Sequence, residues 1–319
     1  MSSARTTATG STPTRVDFTS FAASVSRIQR LGNTFVRVTF CGYELADFYA
    51  AGLDQRIKLI FPVEGTGLGT FPRGGADWFS AWRELPQDER CPMRTYTVRA
   101  ARPELREIDI DFVAHGDVGP ATRWVNRARV GDNLLLVGPD ARTLVPGDGP
   151  VGGVEFRPGS ATRVLLAGDE TAAPAICSIV ESLSADTCGQ VFIEVATEAD
   201  ILPLRAPERV SVSWLARERR SNGEHGAALG RAVRAWASEM IAPGDGAAEA
   251  LTDVDAEVDI LWDVPNGFTG TEQAPQLYAW IAGEAGCIKE LRRFLVRDAG
   301  IHRDDVAFMG YWRAGRPEN

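Results

Sequence analysis

Residues 94–99, Arg94-Thr95-Tyr96-Thr97-Val98-Arg99, bring a flat aromatic, hydroxyls and two guanidiniums together in one short stretch. Read as a β-strand, the run sends successive side chains to opposite faces, so Arg94 and Tyr96 share one face and Thr97 and Arg99 the other. These groups have a common use. An aromatic covers one face of a planar ring, a hydroxyl hydrogen-bonds the ring's polar edge, and arginine pairs with pyrophosphate through charge-assisted bonds. A flavin dinucleotide asks for all three. A plain strand with surface arginines has the same letters, so the motif gains weight only from its neighbours downstream in the chain.

Residues 108–122 supply a second anion-binding pattern. Residues 108–112 alternate apolar with acidic, as a half-buried strand does. They lead into His115-Gly116-Asp117-Val118-Gly119-Pro120-Ala121-Thr122, where the glycines permit a tight turn and Pro120 suits the first turn of a helix. Trp124, Val125 and Ala128 then recur at helical spacing. A helix start behind a glycine turn offers unpaired amides to phosphate. A bare strand-turn-helix connection is the alternative for this element by itself.

Two further strand-to-helix turns stand later in the chain. Gly168-Asp169-Glu170-Thr171 and Gly283-Glu284-Ala285-Gly286 each come after an apolar run. In an open α/β sheet, ligands sit beyond the carboxyl ends of strands, where such turns lie. Neither matches the G-x-G-x-x-G fingerprint, and an acidic residue at a helix start also favours the helix dipole without any ligand.

The elements that must position these groups fall into two sets. Residues 21–28, 34–40, 56–62, 94–99, 108–114 and 133–137 read as short strands, with one helix near 120–128. That set predicts a small antiparallel barrel over 16–142. Residues 64–90 are rich in Gly, Pro and Trp, with Trp78 and Trp82 in a loop or short helix. Residues 143–162 are dense in Gly and Pro and read as a linker. Beyond them, residues 163–167, 191–196, 210–215 and 276–282 are continuous apolar runs suited to a parallel sheet covered on both faces. Helical stretches near 173–185 and 226–241, an amphipathic helix marked by Ile288, Leu291, Phe294 and Leu295, and a last strand at 306–311 complete an α/β half over 163–319. The expected fold is therefore β plus α/β, an N-terminal antiparallel barrel that binds FAD and a C-terminal nucleotide-binding half with a parallel sheet. Residues 242–257 are acidic and Gly/Ala-rich and read as an exposed loop.

Composition narrows the function classes. The chain has 319 residues, 44% hydrophobic and 24% charged, enough for two cores. A net charge of −9 argues against a nucleic-acid partner. No apolar run approaches the ~20 residues that cross a bilayer. Residues 1–15 are Ser/Thr-rich with no apolar core, so a disordered tail is expected rather than a secretory signal; the cysteines are expected as reduced thiols of a cytoplasmic protein, and a monomer is expected. Five cysteines without C-x-x-C spacing, and three histidines without paired spacing, argue against disulfides and a protein-held metal. No G-x-S-x-G elbow supports a hydrolase.

The pairing of Arg94-x-Tyr96-Thr97-x-Arg99 with His115-Gly116-x-x-Gly119-Pro120-Ala121-Thr122-x-Trp124 resembles the siderophore-interacting proteins, FAD-dependent ferric-siderophore reductases of the ferredoxin-NADP reductase-like superfamily. Lys58-Leu59-Ile60-Phe61-Pro62, Ala167-Gly168-Asp169-Glu170-Thr171-Ala172-x-Pro174-Ala175, Ala282-Gly283-Glu284-Ala285 and Gly310-Tyr311-Trp312-Arg313-x-Gly315 fit the same family in the same order. The resemblance implies that electrons pass from NAD(P)H through FAD to Fe(III), releasing Fe(II) from its chelate. The chelator supplies the iron ligands, which agrees with a protein lacking its own.

Roles come from residue type and from the resemblance. Arg94 is expected on phosphate, Tyr96 against the flavin and Thr97 on its polar edge, with Thr95 beside them. The resemblance puts Asp111, Val113 and His115 along the cofactor and Gly119, Pro120, Ala121 and Thr122 around the pyrophosphate. Trp124 is either at the adenine side or a core residue. Gly168, Asp169, Glu170, Thr171, Gly283 and Glu284 are expected near the nicotinamide dinucleotide. Tyr311 and Trp312 either cover the flavin or pack the last strand. Lys58 and Arg142 are expected in a cationic pocket for an anionic ferric siderophore, with ordinary surface charge as the alternative; Asp140 puts an acid beside the second. Glu198 and Asp200 would repel a 2′-phosphate while Arg217, Arg219 and Arg220 would attract it, so NADH and NADPH both stay open. A flavin reductase serving ferredoxin or free flavin, and a non-catalytic siderophore-binding protein, are the competing functions.

Overall fold

The computed structural model describes residues 15–73, 77–114, 116, 119–147, 151–219, 223–240, 261–265 and 277–315. Residues 1–14 of the expected tail, the acidic stretch 242–257, His115 and Arg220 lie outside them, while Arg15 is described and pairs with Val145.

The first seven strands are β1 (Phe18–Arg30), β2 (Phe35–Cys41), β3 (Arg56–Ile60), β4 (Met93–Thr97), β5 (Ala100–Arg102), β6 (Glu107–Val113) and β7 (Asn133–Pro139). All pair antiparallel, in the order β4-β3-β7-β1-β2-β6-β5. In β1 the buried residues Phe21, Ala23 and Val25 recur at every second position, which fixes the inward face. The two ends of the sheet belong to one continuous segment. Val98 N still donates to Gln55 O beside β3, at 2.8 Å, while Arg99 N donates to Asp109 O on β6, at 2.9 Å. Changing partner between adjacent residues curls the sheet into a half-barrel around Phe40, Ile57, Leu59, Phe61, Ile110, Phe112 and Leu136. The short helix α1 (Trp78–Glu84) lies in the aromatic stretch, where Trp82 Nε1 donates to Cys91 O at 2.9 Å. Helix α2 (Pro120–Arg127) buries Ala121 and Val125 against the half-barrel core.

The second sheet contains β8 (Arg163–Gly168), β9 (Cys188–Val195), β10 (Val210–Ala216), β11 (Trp262–Asp263), β12 (Tyr278–Glu284) and β13 (Val306–Trp312). Its order is β10-β9-β8-β12-β13-β11. Five strands are parallel, as expected, and β11 is antiparallel at the edge, so the sheet as a whole is mixed. Helix α3 (Ala173–Ser182) covers one face; α4 (Ala227–Met240) and α5 (Ala285–Arg293) cover the other. Val164, Leu166, Tyr278 and Trp280 pack toward α3, while Leu165, Ala167, Ala279 and Ile281 pack toward α4 and α5. Burial on both sides explains the unbroken apolar runs. No α-helix links β9 to β10; a 3-10 turn at Glu198–Asp200 serves instead.

The two sets share a core. Phe35, at the start of β2, and Phe156 belong to the same buried cluster as Trp280 and Ile176. Residues 151–157 of the expected linker are packed, with Val154, Glu155 and Phe156 buried. Asp54 accepts hydrogen bonds from Glu155 N and Phe156 N, both 3.1 Å, and from Trp280 Nε1 at 3.0 Å.

Candidate functional site

Where the half-barrel meets the carboxyl ends of β8 and β13, the chain encloses a cavity of about 460 Å³. Its lining comes from β3 (Arg56, Lys58), β4 (Arg94, Thr95, Tyr96, Thr97), β6 (Asp111, Val113), Gly119 and the α2 residues Ala121 and Thr122, the turn after β8 (Thr171), the start of α3 (Pro174), β11 (Trp262) and β13 (Gly310, Tyr311, Trp312). The volume is that of a small-molecule site. Four consecutive residues of β4 border it, in regular register with β3, just before the chain changes partner at Val98 and Arg99.

The start of α2 forms one end of the cavity. Gly119 is the residue before the helix, extended at φ −129° and ψ 163°, and no side chain caps the first turn. A Cβ at Gly119 would meet nothing within 4 Å. An uncapped helix start opening on free space suits a phosphate. Tyr96 supplies an aromatic wall, its ring also tilted against Phe112 at 4.5 Å. Thr95 and Thr97 add hydroxyls, Lys58 Nζ donates to Thr95 Oγ1 at 2.6 Å, and Arg94 and Arg56 add guanidiniums. This donor set fits FAD: ring faces, a polar edge and a pyrophosphate each find a partner of the right chemistry.

Charges behind this wall are paired. Asp111 takes a bidentate contact from Arg37, at 2.6 and 2.8 Å, with a fully buried carboxylate. Arg99 crosses to α3 and grips both oxygens of Glu181 at 2.8 Å, so its guanidinium is committed to joining the two halves. Arg56 contacts Glu155 at 2.5 Å and lies 4.2 Å over the Trp262 ring, which stacks on Tyr311 at 6.0 Å and 13°.

The far wall rests on Asp169, which is 1% exposed. Its Oδ1 accepts from Thr171 N at 2.9 Å and Thr171 Oγ1 at 2.5 Å; its Oδ2 accepts from Glu284 N and Trp312 Nε1, both at 2.8 Å. Burial, then the neighbouring Glu170, push the Asp169 carboxyl above the usual range. Glu170 takes Arg217 bidentate at 2.7 Å. Burial drives its pKa up, but His225 and Arg217 outweigh that and bring it down to about 2.

Most of the sequence-derived candidates meet here. Lys58, Arg94, Thr95, Tyr96, Thr97, Asp111, Val113, Gly119, Ala121, Thr122, Thr171 and Trp312 line one cavity. Pro120 opens α2 between two lining residues. Gly168, Asp169, Glu170, Gly283 and Glu284 stand behind the wall rather than in it; a Cβ on Gly283 (φ +148°) would meet Asp169 Oδ2 at 2.6 Å. Trp124 packs in the half-barrel core, 6.0 Å from the Phe40 ring and 5.5 Å from Phe61, so of its two readings the core one describes its surroundings. Arg142 is off the cavity, 63% exposed and paired with Asp140 and Asp47. Arg56 and Trp262 were missed. Arg56 precedes Lys58 by two on the same strand, a shared face that period two reveals. Trp262 sits on a two-residue edge strand with no pattern to mark it. Among the described residues no cluster of His, Cys, Asp or Glu could hold a metal.

Comparison with known proteins adds to this geometry. A family model described as a siderophore-interacting FAD-binding domain matches residues 24–143, and one described as siderophore-interacting protein matches residues 161–315. An uncharacterized protein of Mycobacterium tuberculosis is 31% identical over 300 residues, covering 93% of this chain and 91% of that protein. The ferric vibriobactin reductase ViuB of Vibrio cholerae is 29% identical over 292 residues, 92% of this chain and 89% of the relative. A solved structure of a siderophore utilization protein from T. fusca superposes with a TM-score of 0.64 at 27% identity, covering 95% of this chain and 97% of the other.

Proposed function

The chain belongs to the siderophore-interacting protein family, and from that premise we propose that it is a flavin-dependent ferric-siderophore reductase, passing electrons from NAD(P)H through FAD to chelated Fe(III) and releasing Fe(II). The observation that carries this reading is the shared cavity. Tyr96, Thr95, Thr97, Lys58 and Arg94 come from the segment matched as FAD-binding, and Thr171, Tyr311 and Trp312 from the second matched segment.

When bound, FAD supplies the conversion between a two-electron hydride donor and a one-electron metal acceptor. The chain's own residues bind and orient. The uncapped start of α2 and Arg94 would hold phosphate charge. Tyr96 would pack on a ring face, while Thr95 and Thr97 would offer hydroxyls to its polar rim. Thr171 and Trp312, on the α/β side, would face the nicotinamide dinucleotide. Lys58 and Arg56 give an otherwise acidic molecule a local positive face for an anionic chelate. No side chain is required as general acid or base, and the chelate brings its own iron ligands.

The test is an anaerobic assay of purified protein with NAD(P)H, ferric siderophores and a ferrous trap. The expected result is a yellow protein, absorbing near ~450 nm as flavins do, that yields trapped Fe(II) only when the nucleotide is present. Rapid reduction of a protein carrier with no Fe(II) from any chelate would point instead to a reductase for another acceptor. A colourless protein that still binds ferric siderophore would point to a binding module.

A further inference from the structure

His225 precedes α4 and stands beside Glu170, behind the cavity wall rather than in its lining. Both its ring nitrogens are buried, and neither makes a hydrogen bond among the described residues. Nε2 nevertheless lies 3.4 Å from Glu170 Oε2 and 3.7 Å from Asp169 Oδ2, and the ring meets Trp312 edge-on at 4.9 Å. The imidazole thus touches both the residue that holds Trp312 and Trp312 itself.

Asp169 needs its charge. Four of its contacts are with groups that can donate: two on Thr171, the Glu284 amide and the Trp312 indole. Three of these, two N–H amides and one indole N–H, can only donate. A carboxylate accepts from all of them, whereas a protonated carboxyl puts a hydrogen among donors and loses acceptor capacity. Oδ2 carries both Glu284 N and Trp312 Nε1, so a proton settling there would release the cavity wall. The surroundings favour that proton. Asp169 is buried, and Glu170, Glu194, Glu284, Cys287 and Tyr311 face the cluster from the ends or flanks of the neighbouring elements. Arg217 is divided between Glu170 at 2.7 Å and Glu194 at 3.2 Å. His225 is the remaining group of the described cluster that can bring positive charge to Asp169.

We propose that His225 is a positioning residue: as imidazolium it keeps Asp169 ionised, and ionised Asp169 holds Trp312 against the cavity. The importance of Trp312 to turnover rests on the function proposed above; the linkage of His225, Asp169 and Trp312 does not. Burial lowers the affinity of His225 for its proton, but Glu170 and Asp169 outweigh burial and raise its pKa above the ordinary histidine value. That shift favours the imidazolium, and its charge opposes the burial and the Glu170 repulsion that raise the Asp169 pKa.

The experiment tracks the Trp312 indole N–H by NMR in ¹⁵N-tryptophan-labelled protein, assigned by Trp312→Phe, as pH is lowered from 8. The His225 titration is read in the same samples against His225→Gln. In wild type the indole signal should hold until acid pH and His225 should titrate above ~6.5. His225→Gln should move the midpoint of the Trp312 transition upward by about one pH unit or more, a tenfold change in proton affinity. His225→Lys, which keeps the cation, should restore the wild-type midpoint. Identical midpoints in wild type and His225→Gln, or a His225→Lys variant that behaves like His225→Gln, would overturn the proposal. If His225→Gln does not fold, the wild-type titration decides alone: a His225 midpoint at or below the ordinary value overturns the proposal and one above it supports it. Flavin absorbance of the same samples reports separately on whether the cofactor reading fails.

Discussion

Tyr96 belongs to two environments at once, since its ring packs on Phe112 in the half-barrel core and also lines the cavity. Removing it therefore opens the wall from behind as well as deleting a contact. Arg94 borders the same space one face-step away on β4. Arg94→Ala combined with Tyr96→Ala is expected to lower flavin affinity by roughly 10- to 100-fold, from one lost aromatic contact and one lost charge-assisted bond. The ratio of visible to ultraviolet absorbance after gel filtration measures it, and undiminished flavin content would refute the assignment. These two residues were legible in the sequence because an aromatic between guanidiniums is chemically unusual on a short strand. Arg99 was not legible. Its partner Glu181 lies 82 positions away on α3, and no local pattern tells a phosphate-binding arginine from one that ties two halves together.

At the scale of elements, alternation and continuous apolar runs disclosed the strands because burial on one face or both leaves its period in the sequence. The β9-to-β10 connection and the antiparallel β11 left no such trace, since a 3-10 turn and a two-residue strand are too short to show a period. Without a helix between them, β9 and β10 are joined to β8 at their carboxyl ends by side chains. Arg217, after β10, bonds Glu170 after β8 and Glu194 on β9, and Glu194 in turn accepts from Gly226 N and Leu229 N at 2.7 and 2.9 Å. Glu170, normally near 4.5 and lowered here to about 2, contributes stability that is fully present above its unfolded pKa. That contribution disappears as pH falls from 4.5 toward about 2. Glu170→Gln should therefore cost on the order of 3 kcal/mol at neutral pH and progressively less toward pH ~3. Urea titrations of both proteins at several pH values read the difference, and a gap that stays constant with pH would contradict the clasp.

Across the whole molecule, the half-barrel and the α/β half behave as one cooperative unit if their join is as close as a core. The turn between β1 and β2 shows how close it is. A Cβ on Gly32 would stand 2.4 Å from Ala199 O and 2.8 Å from Asp200 Oδ1, so only glycine lets the turn lie flat against the end of β9. There Thr34 N donates to Asp200 Oδ1 at 2.7 Å and Asn33 Nδ2 to Thr197 Oγ1 at 3.1 Å, while Phe35 enters the core shared with Trp280. Gly32→Val must push the hairpin away, breaking the Asp200 bond and loosening Phe35. A cost of about 1–3 kcal/mol is expected from the overpacking, lowering Tm by ~2–4 °C per kcal/mol in a protein of this size. Asn33→Ala, which removes one exposed hydrogen bond and leaves the backbone seated, should cost under ~1 kcal/mol. Scanning calorimetry separates the two cases: one endotherm for wild type and Asn33→Ala, and a lower, broadened or divided endotherm for Gly32→Val. A Gly32→Val protein melting as the wild type does would mean that the hairpin can move without cost. The cavity, whose two sides come from the two halves, would then have no rigid frame of the kind that holding two planar rings in register requires.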